Sequence, residues 1–250
     1  IISSGVVNSP QLLMLSGIGD PEELRRHGVS VQARLPGVGK NLQDQIAAML
    51  VYERKIPGPS YHHMRFDRIS VDLAKAYLFG KGFASDVPGG VTAFLKTHSD
   101  QKVPDIQLLM TAGSIDAWPY LQPFVRPFQD TFVSRVVLLH PESRGYIALA
   151  SNDPRIHPKI HQNFLSTDKE WETLRAGFRM VREIGVQPVM AEFIKKELSP
   201  GVDHTTDSQI DEHIKNTAIT VHHPLGTCKM GSAEDDSAVV DQELRVIGVE

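Results

Sequence analysis

Two adjacent histidines, His222 and His223, head the run Pro224-Leu225-Gly226-Thr227-Cys228, in which Cys228 is the only cysteine of the chain. A connecting loop has use for the proline and the glycine, but none for paired imidazoles. With an ordinary pKa of about 6.5, an imidazole is free near neutral pH to accept a proton, as removal of an alcohol's hydroxyl proton requires. Pro224 biases His223 toward extended backbone and so fixes its aim, while Gly226 lets the chain pass close to a flat or bulky neighbour. A buried, hydrogen-bonded structural histidine fits the same residues, and both readings stand at this point.

Other chemistries fit less well. Neighbouring side chains of an extended segment point to opposite faces, which separates His222 from His223 as ligands of one ion. His157 and His161 are four apart, but Pro158 argues against a helical face. His62 and His63 sit in a Pro/Gly-rich loop without a carboxylate at ligand spacing, so no metal site is expected. Nucleophilic hydrolysis lacks its Gly-x-Ser-x-Gly elbow, and Cys228 reads more simply as a small buried apolar residue than as a nucleophile. The stretch Gly37-Val38-Gly39-Lys40-Asn41-Leu42 has two glycines of a dinucleotide fingerprint, with Leu42 where the third belongs.

The chain around these residues has 250 positions, of which 41% are hydrophobic and 22% charged, the composition of one large globular domain or two ordinary ones. A net charge of -4 with interspersed signs gives no reason to expect a nucleic-acid partner. No apolar run approaches the ~20 residues that cross a bilayer, and the start lacks a signal-peptide pattern. A single cysteine leaves the compartment open. The chain opens on Ile1-Ile2 without a methionine and stops at Glu250 within a strand-like pattern, so an internal piece of a longer protein is expected.

The elements that must position the histidines can be read locally. Ser9-Pro10 predicts an N-cap and first helical position, with Gly17 closing the helix. Asp20-Pro21-Glu22-Glu23 predicts a second helix, with Glu23 reaching back in a capping box and Gly28 as terminator. Val29, Val31, Ala33 and Leu35 alternate as a strand. Ile69, Leu73, Ala76 and Tyr77 share a helical face, and strands are predicted around residues 106–110, 132–139 and 146–150. Thr167 and Glu170 open a helix with an apolar stripe at Trp171, Leu174, Phe178, Val181 and Ile184. Another runs from Thr206, with Gln209 as its box partner, through Ile210 and Ile214.

Two blocks together resemble the glucose-methanol-choline oxidoreductase family of flavoenzymes. The first is Gly5-Val6-Val7-Asn8-Ser9-Pro10-Gln11-Leu12-Leu13-Met14-Leu15-Ser16-Gly17-Ile18-Gly19, continued by residues 36–44. The second is residues 222–231, continued by Val239-Val240-Asp241 and Leu244-Arg245-Val246. The texture is most similar to the insect glucose dehydrogenase-like branch. This resemblance implies a mixed α/β and α+β fold, an FAD-binding domain interrupted by a substrate-binding domain on an antiparallel sheet. Residues 1–47 and 217–250 would be parts of the FAD-binding domain, with 48–216 the substrate-binding domain between them. It implies FAD as cofactor, with Ser4 and Gly5 passing its dinucleotide part, His222 lining the substrate pocket and His223 acting as base. His223 would take the hydroxyl proton of a small alcohol or sugar while hydride passes to flavin N5, an external quinone or oxygen then accepting the electrons. Relatives of that branch are often secreted.

Departures from the family pattern are visible. Gln45 follows Asp44 where many relatives have histidine, and Ser4 and Val6 stand where alanine is common. The Gly-rich phosphate loop and a second catalytic His or Asn would lie outside residues 1–250, so the isolated chain is expected to hold FAD weakly or not at all and to be inactive. A non-redox lyase that keeps FAD, and a binding protein that has lost the chemistry, remain as alternatives. Residues 57–68 and 114–126 belong to variable segments, and Trp118, Tyr120, Phe124 and Phe128 line a pocket or fill a core.

Overall fold

The computed structural model describes residues 1–85, 90–111, 113, 114 and 116–249. In chain order its elements are α1 (Gly5–Leu15), β1 (Ile18–Gly19), α2 (Pro21–Arg26), β2 (Ala33–Arg34), β3 (Ile46–Arg54), α3 (Pro59–His63) and α4 (Phe66–Phe79). There follow β4 (Gly90–Leu95), β5 (Ile106–Thr111), β6 (Thr131–Leu138), β7 (Tyr146–Ala148) and β8 (Lys159–His161). The remainder comprises α5 (Asp168–Gly185), α6 (Pro188–Ala191), β9 (Ile194–Ser199), α7 (Asp207–Thr217) and β10 (Ile219–Thr220). They divide into two compact units, the first formed by Ile1–Gln45, Pro141–Asp168 and Thr220–Glu250, the second by Ile46–His140 and Lys169–Ile219.

Unit 1 begins with a helix that the proline signal misplaces. Pro10 lies inside α1 rather than at its first position. A proline has no N–H for the carbonyl four residues back, which here belongs to Val6. That carbonyl instead accepts the hydroxyl of Thr227 at 2.5 Å. Asp20 caps α2 as expected, its carboxylate accepting from the N–H groups of Glu22 and Glu23 at 2.8 and 3.1 Å. The capping box does not form, because Glu23 turns away and its Oε1 accepts the N–H of Leu149 at 2.8 Å. Of the alternation at residues 29–35 only β2 pairs, parallel to β1. The core gathers Leu13, Met14 and Leu24 with Leu42, Ile147, Leu149 and Val239.

Residues 141–168 belong to this unit, whereas the sequence places them within the middle domain. Backbone pairing decides the matter: Leu42 and Gly145 exchange hydrogen bonds at 3.0 and 2.8 Å, and the Ile147 N–H donates to the Gly39 carbonyl at 2.7 Å. The first stretch of unit 1 ends at Gln45 and its last begins at Thr220.

Unit 2 is built on antiparallel strands in the order β4-β5-β6-β3, with β9 also paired to β3. Val136 and Ile106 face α5, where Gly177 leaves no room for a side chain, since a Cβ there would sit 2.6 Å from Val136 Cγ1. Leu174, Phe178 and Val181 bury the stripe of α5, and Ile210 and Ile214 bury that of α7. The Thr206–Gln209 capping box of α7 forms as the sequence predicts. Helix α4 also forms, and Leu73 and Tyr77 on its apolar face are 56% and 90% exposed. Tyr120 and Phe128 fill the core while Phe124 is exposed. Within the same segment, Ile115 lies outside the described residues.

Candidate active site

The histidine pair occupies a turn of unit 1 that is held from the opposite strand of chain. Residues 43 and 225 exchange backbone hydrogen bonds at 2.9 and 2.8 Å, and the Val221 N–H donates to the Gln45 carbonyl at 3.2 Å. Close approach explains Gly226: its φ is +100°, and a Cβ would lie 2.3 Å from the Asn41 carbonyl oxygen. Asn41 Nδ2 donates in turn to the Gly226 carbonyl at 3.3 Å. Gly39, with φ +77° and only 2.4 Å between a would-be Cβ and the Ile147 oxygen, brings its N–H to the Thr227 carbonyl at 2.9 Å.

Asp44 is the centre of the arrangement. Its buried carboxylate accepts the N–H of Gln45 at 2.8 Å, the N–H of His223 at 3.1 Å and the hydroxyl of Thr220. Thr220 Oγ1 then receives the His222 N–H at 2.9 Å. One carboxylate thus fixes the backbone of both histidines. Sequence reasoning quoted Asp44 without giving it a role, and a contact across 179 positions leaves no local signal.

The imidazole of His223 is exposed, with Nδ1 2.9 Å from Gln45 Oε1. A carboxamide oxygen only accepts, so Nδ1 carries the proton in the neutral ring and Nε2 keeps its lone pair. His222 is also exposed, and its φ of +63° is left-handed rather than extended. The argument that the two imidazoles diverge along an extended strand therefore does not apply, because the backbone turns between them.

Ser4 and Gly5 are exposed at the start of α1, which has no side-chain cap and no acidic residue in its first turn. A Cβ on Gly5 would touch nothing within 4 Å. An uncapped helix start with space beside it suits an anion such as a dinucleotide diphosphate. The Thr227–Val6 bond ties this helix start to the loop that follows the histidines. Cys228 packs against the unit's core, and burial pushes its thiol up to about 11, which favours a packing role over a nucleophilic one.

Other histidines have local partners. His62 and His63 lie in α3 rather than in a loop. A carboxylate does reach His63: Asp72 of α4 stands 2.6 Å from its Nδ1, and the ring stacks on Phe83 at 4.5 Å. His161 packs against Tyr146 at 4.9 Å. Among the described residues no three His, Cys, Asp or Glu side chains converge as a metal site needs.

Residues 1–47 and 141–250, together more than half of the chain, match GMC oxidoreductase over its N-terminal and C-terminal regions. The chain belongs to the GMC oxidoreductase family. Members of this family are FAD-dependent. The chain is 36% identical over its whole length to an oxygen-dependent choline dehydrogenase of Chromohalobacter salexigens, covering 44% of that protein. It is 35% identical to the mitochondrial choline dehydrogenase of Mus musculus, covering 41%. Pyridoxine 4-oxidase from Mesorbium loti superposes with a TM-score of 0.76 at 25% identity, over 97% of this chain and 43% of the oxidase. A formate oxidase variant from Aspergillus oryzae shares the fold with a TM-score of 0.85 at 23% identity, over 100% of this chain and 48% of that one. The chain thus spans less than half the length of the curated relatives it matches.

Proposed function

We propose that the complete protein is an FAD-dependent oxidoreductase acting on the CH–OH group of a small alcohol, with His223 as the base. The observation that carries this reading is the hydrogen bond between His223 Nδ1 and Gln45 Oε1, which leaves Nε2 as the free acceptor. FAD, when bound, supplies the hydride acceptor at its ring. His223 Nε2 takes the hydroxyl proton, Asp44 holds the His222–His223 backbone in place, and Gln45 holds the tautomer. Ser4, Gly5 and the start of α1 would hold the dinucleotide part of FAD, and His222 would line the substrate pocket. The relatives' names support an alcohol as substrate and oxygen as acceptor, while the glucose dehydrogenase-like texture of the sequence supports a sugar and a quinone.

Replacing His223 with alanine in the full-length protein is expected to lower kcat for alcohol oxidation by about 10²- to 10⁴-fold. Flavin absorbance at full intensity in the variant would show that FAD is still bound. Turnover equal to wild type would remove His223 from the mechanism. Anaerobic addition of the alcohol separates the lyase alternative, since an oxidoreductase bleaches the flavin and a lyase leaves it yellow.

A further inference from the structure

Arg135 stands in the centre of β6, paired in register with Met49 of β3 on one side and Leu109 of β5 on the other. Paired residues share a face of the sheet, so a cation is flanked by two apolar side chains on the face turned away from α5. Among the described residues no ion pair or side-chain hydrogen bond joins its guanidinium, and Nε is shielded from solvent without a partner. Arg54, whose Nε is also shielded without a hydrogen bond, has Asp130 at 3.9 Å, and two other half-buried arginines of the unit are paired more closely. Arg175 meets Asp211 at 2.9 Å and Arg182 meets Glu197 at 2.7 Å. On the face of Arg135 the carboxylate of β3 is Glu53, four residues along from Met49 and already engaged by Lys195 at 2.6 Å. A shielded Nε–H without an acceptor is unfavourable, and the planar fork of the guanidinium matches a carboxylate. Met49, Leu109, Val51 and Gln107 are each partly exposed, so a small molecule can reach this face.

We propose that Arg135 anchors a site for a small carboxylate with an apolar body, the carboxylate on the guanidinium and the body against Met49 and Leu109. The carboxylate is that of an effector held within unit 2.

Calorimetric titration of the full-length, FAD-loaded protein with benzoate and with benzamide tests the site without turnover. Wild type is expected to bind benzoate about 10-fold or more tighter than benzamide, Arg135→Met to lose that preference and Arg135→Lys to keep part of it. His223→Ala should bind benzoate like wild type, which keeps this result separate from the fate of the proposed reaction. Kinetics then test the occupant: benzoate is expected to bind wild type without competing with the alcohol, and strict competition would overturn the effector assignment. Equal binding of benzoate and benzamide by wild type overturns the proposal, and needs no variant to fold. So does an unchanged preference in Arg135→Met accompanied by a fallen Tm, which would assign Arg135 to an ion pair with another part of the polypeptide.

Discussion

Unit 1 is joined from three separated stretches of chain by backbone groups that touch directly, while unit 2 closes through side chains of α5 and α7 laid on a sheet. The glycines show the difference. At Gly39 and Gly226 a Cβ would strike a main-chain oxygen of another segment, and both have positive φ. At Gly177 the nearest atom is a methyl of Val136, which can turn aside. Chain conformation is therefore the fastener in the unit that holds the histidines, and volume is the fastener in the other.

Substituting alanine tests that contrast most strongly. Gly226→Ala is expected to destabilise the full-length protein by about 3 kcal/mol or more, combining strain with a backbone clash. Gly177→Ala should lose only about 1 kcal/mol, because better helix propensity offsets part of the crowding. Urea unfolding followed by intrinsic fluorescence would compare them, and equal losses would break the distinction between the units.

Thr227→Val sharpens it further. Removing the hydroxyl leaves the Val6 carbonyl without its partner and is expected to destabilise by about 1–3 kcal/mol. In a Pro10→Ala background, residue 10 regains an N–H for that carbonyl, and the loss from Thr227→Val should shrink by about 1 kcal/mol. Additive losses in this double-mutant cycle would mean that the proline does not create the need for the threonine.

The smallest expected effect is at the cap of α2. The N–H groups of Glu23 and Glu22 hold the Asp20 carboxyl below its ordinary value of 3.8. A folded-state pKa below the unfolded one contributes stability above the unfolded value and loses it as pH falls through the folded one. Asp20→Ala should therefore destabilise by about 1 kcal/mol at neutral pH, with the gap to wild type closing below about pH 4. Thermal unfolding across that range checks it, and a gap independent of pH would mean that the charged cap is not the cause.

These effects also separate what the sequence could disclose from what it could not. The α7 box was legible because Thr206 and Gln209 act on each other within one turn. Pro10 misled because a proline usually marks a helix start, and the residue that makes its interior position tolerable lies 221 positions away. Residues 141–168 looked like part of the middle domain because their backbone partners, Gly39 and Leu42, carry no signature of the pairing. His223 could be singled out by type and by family resemblance, but the Asp44 carboxylate that seats it could not. The apolar spacing of α4 correctly gave a helix, while the exposure of Leu73 and Tyr77 was not legible, since periodicity states which side is apolar and not what lies against it.

The bond from Thr227 to Val6 also sets a timetable for synthesis. At about 5–20 residues per second, a ribosome needs roughly 10 to 40 s to travel the 221 positions from Val6 to Thr227. For that interval the Val6 carbonyl has only water as its donor, and the bond that joins α1 to the histidine loop is among the last of unit 1 to form.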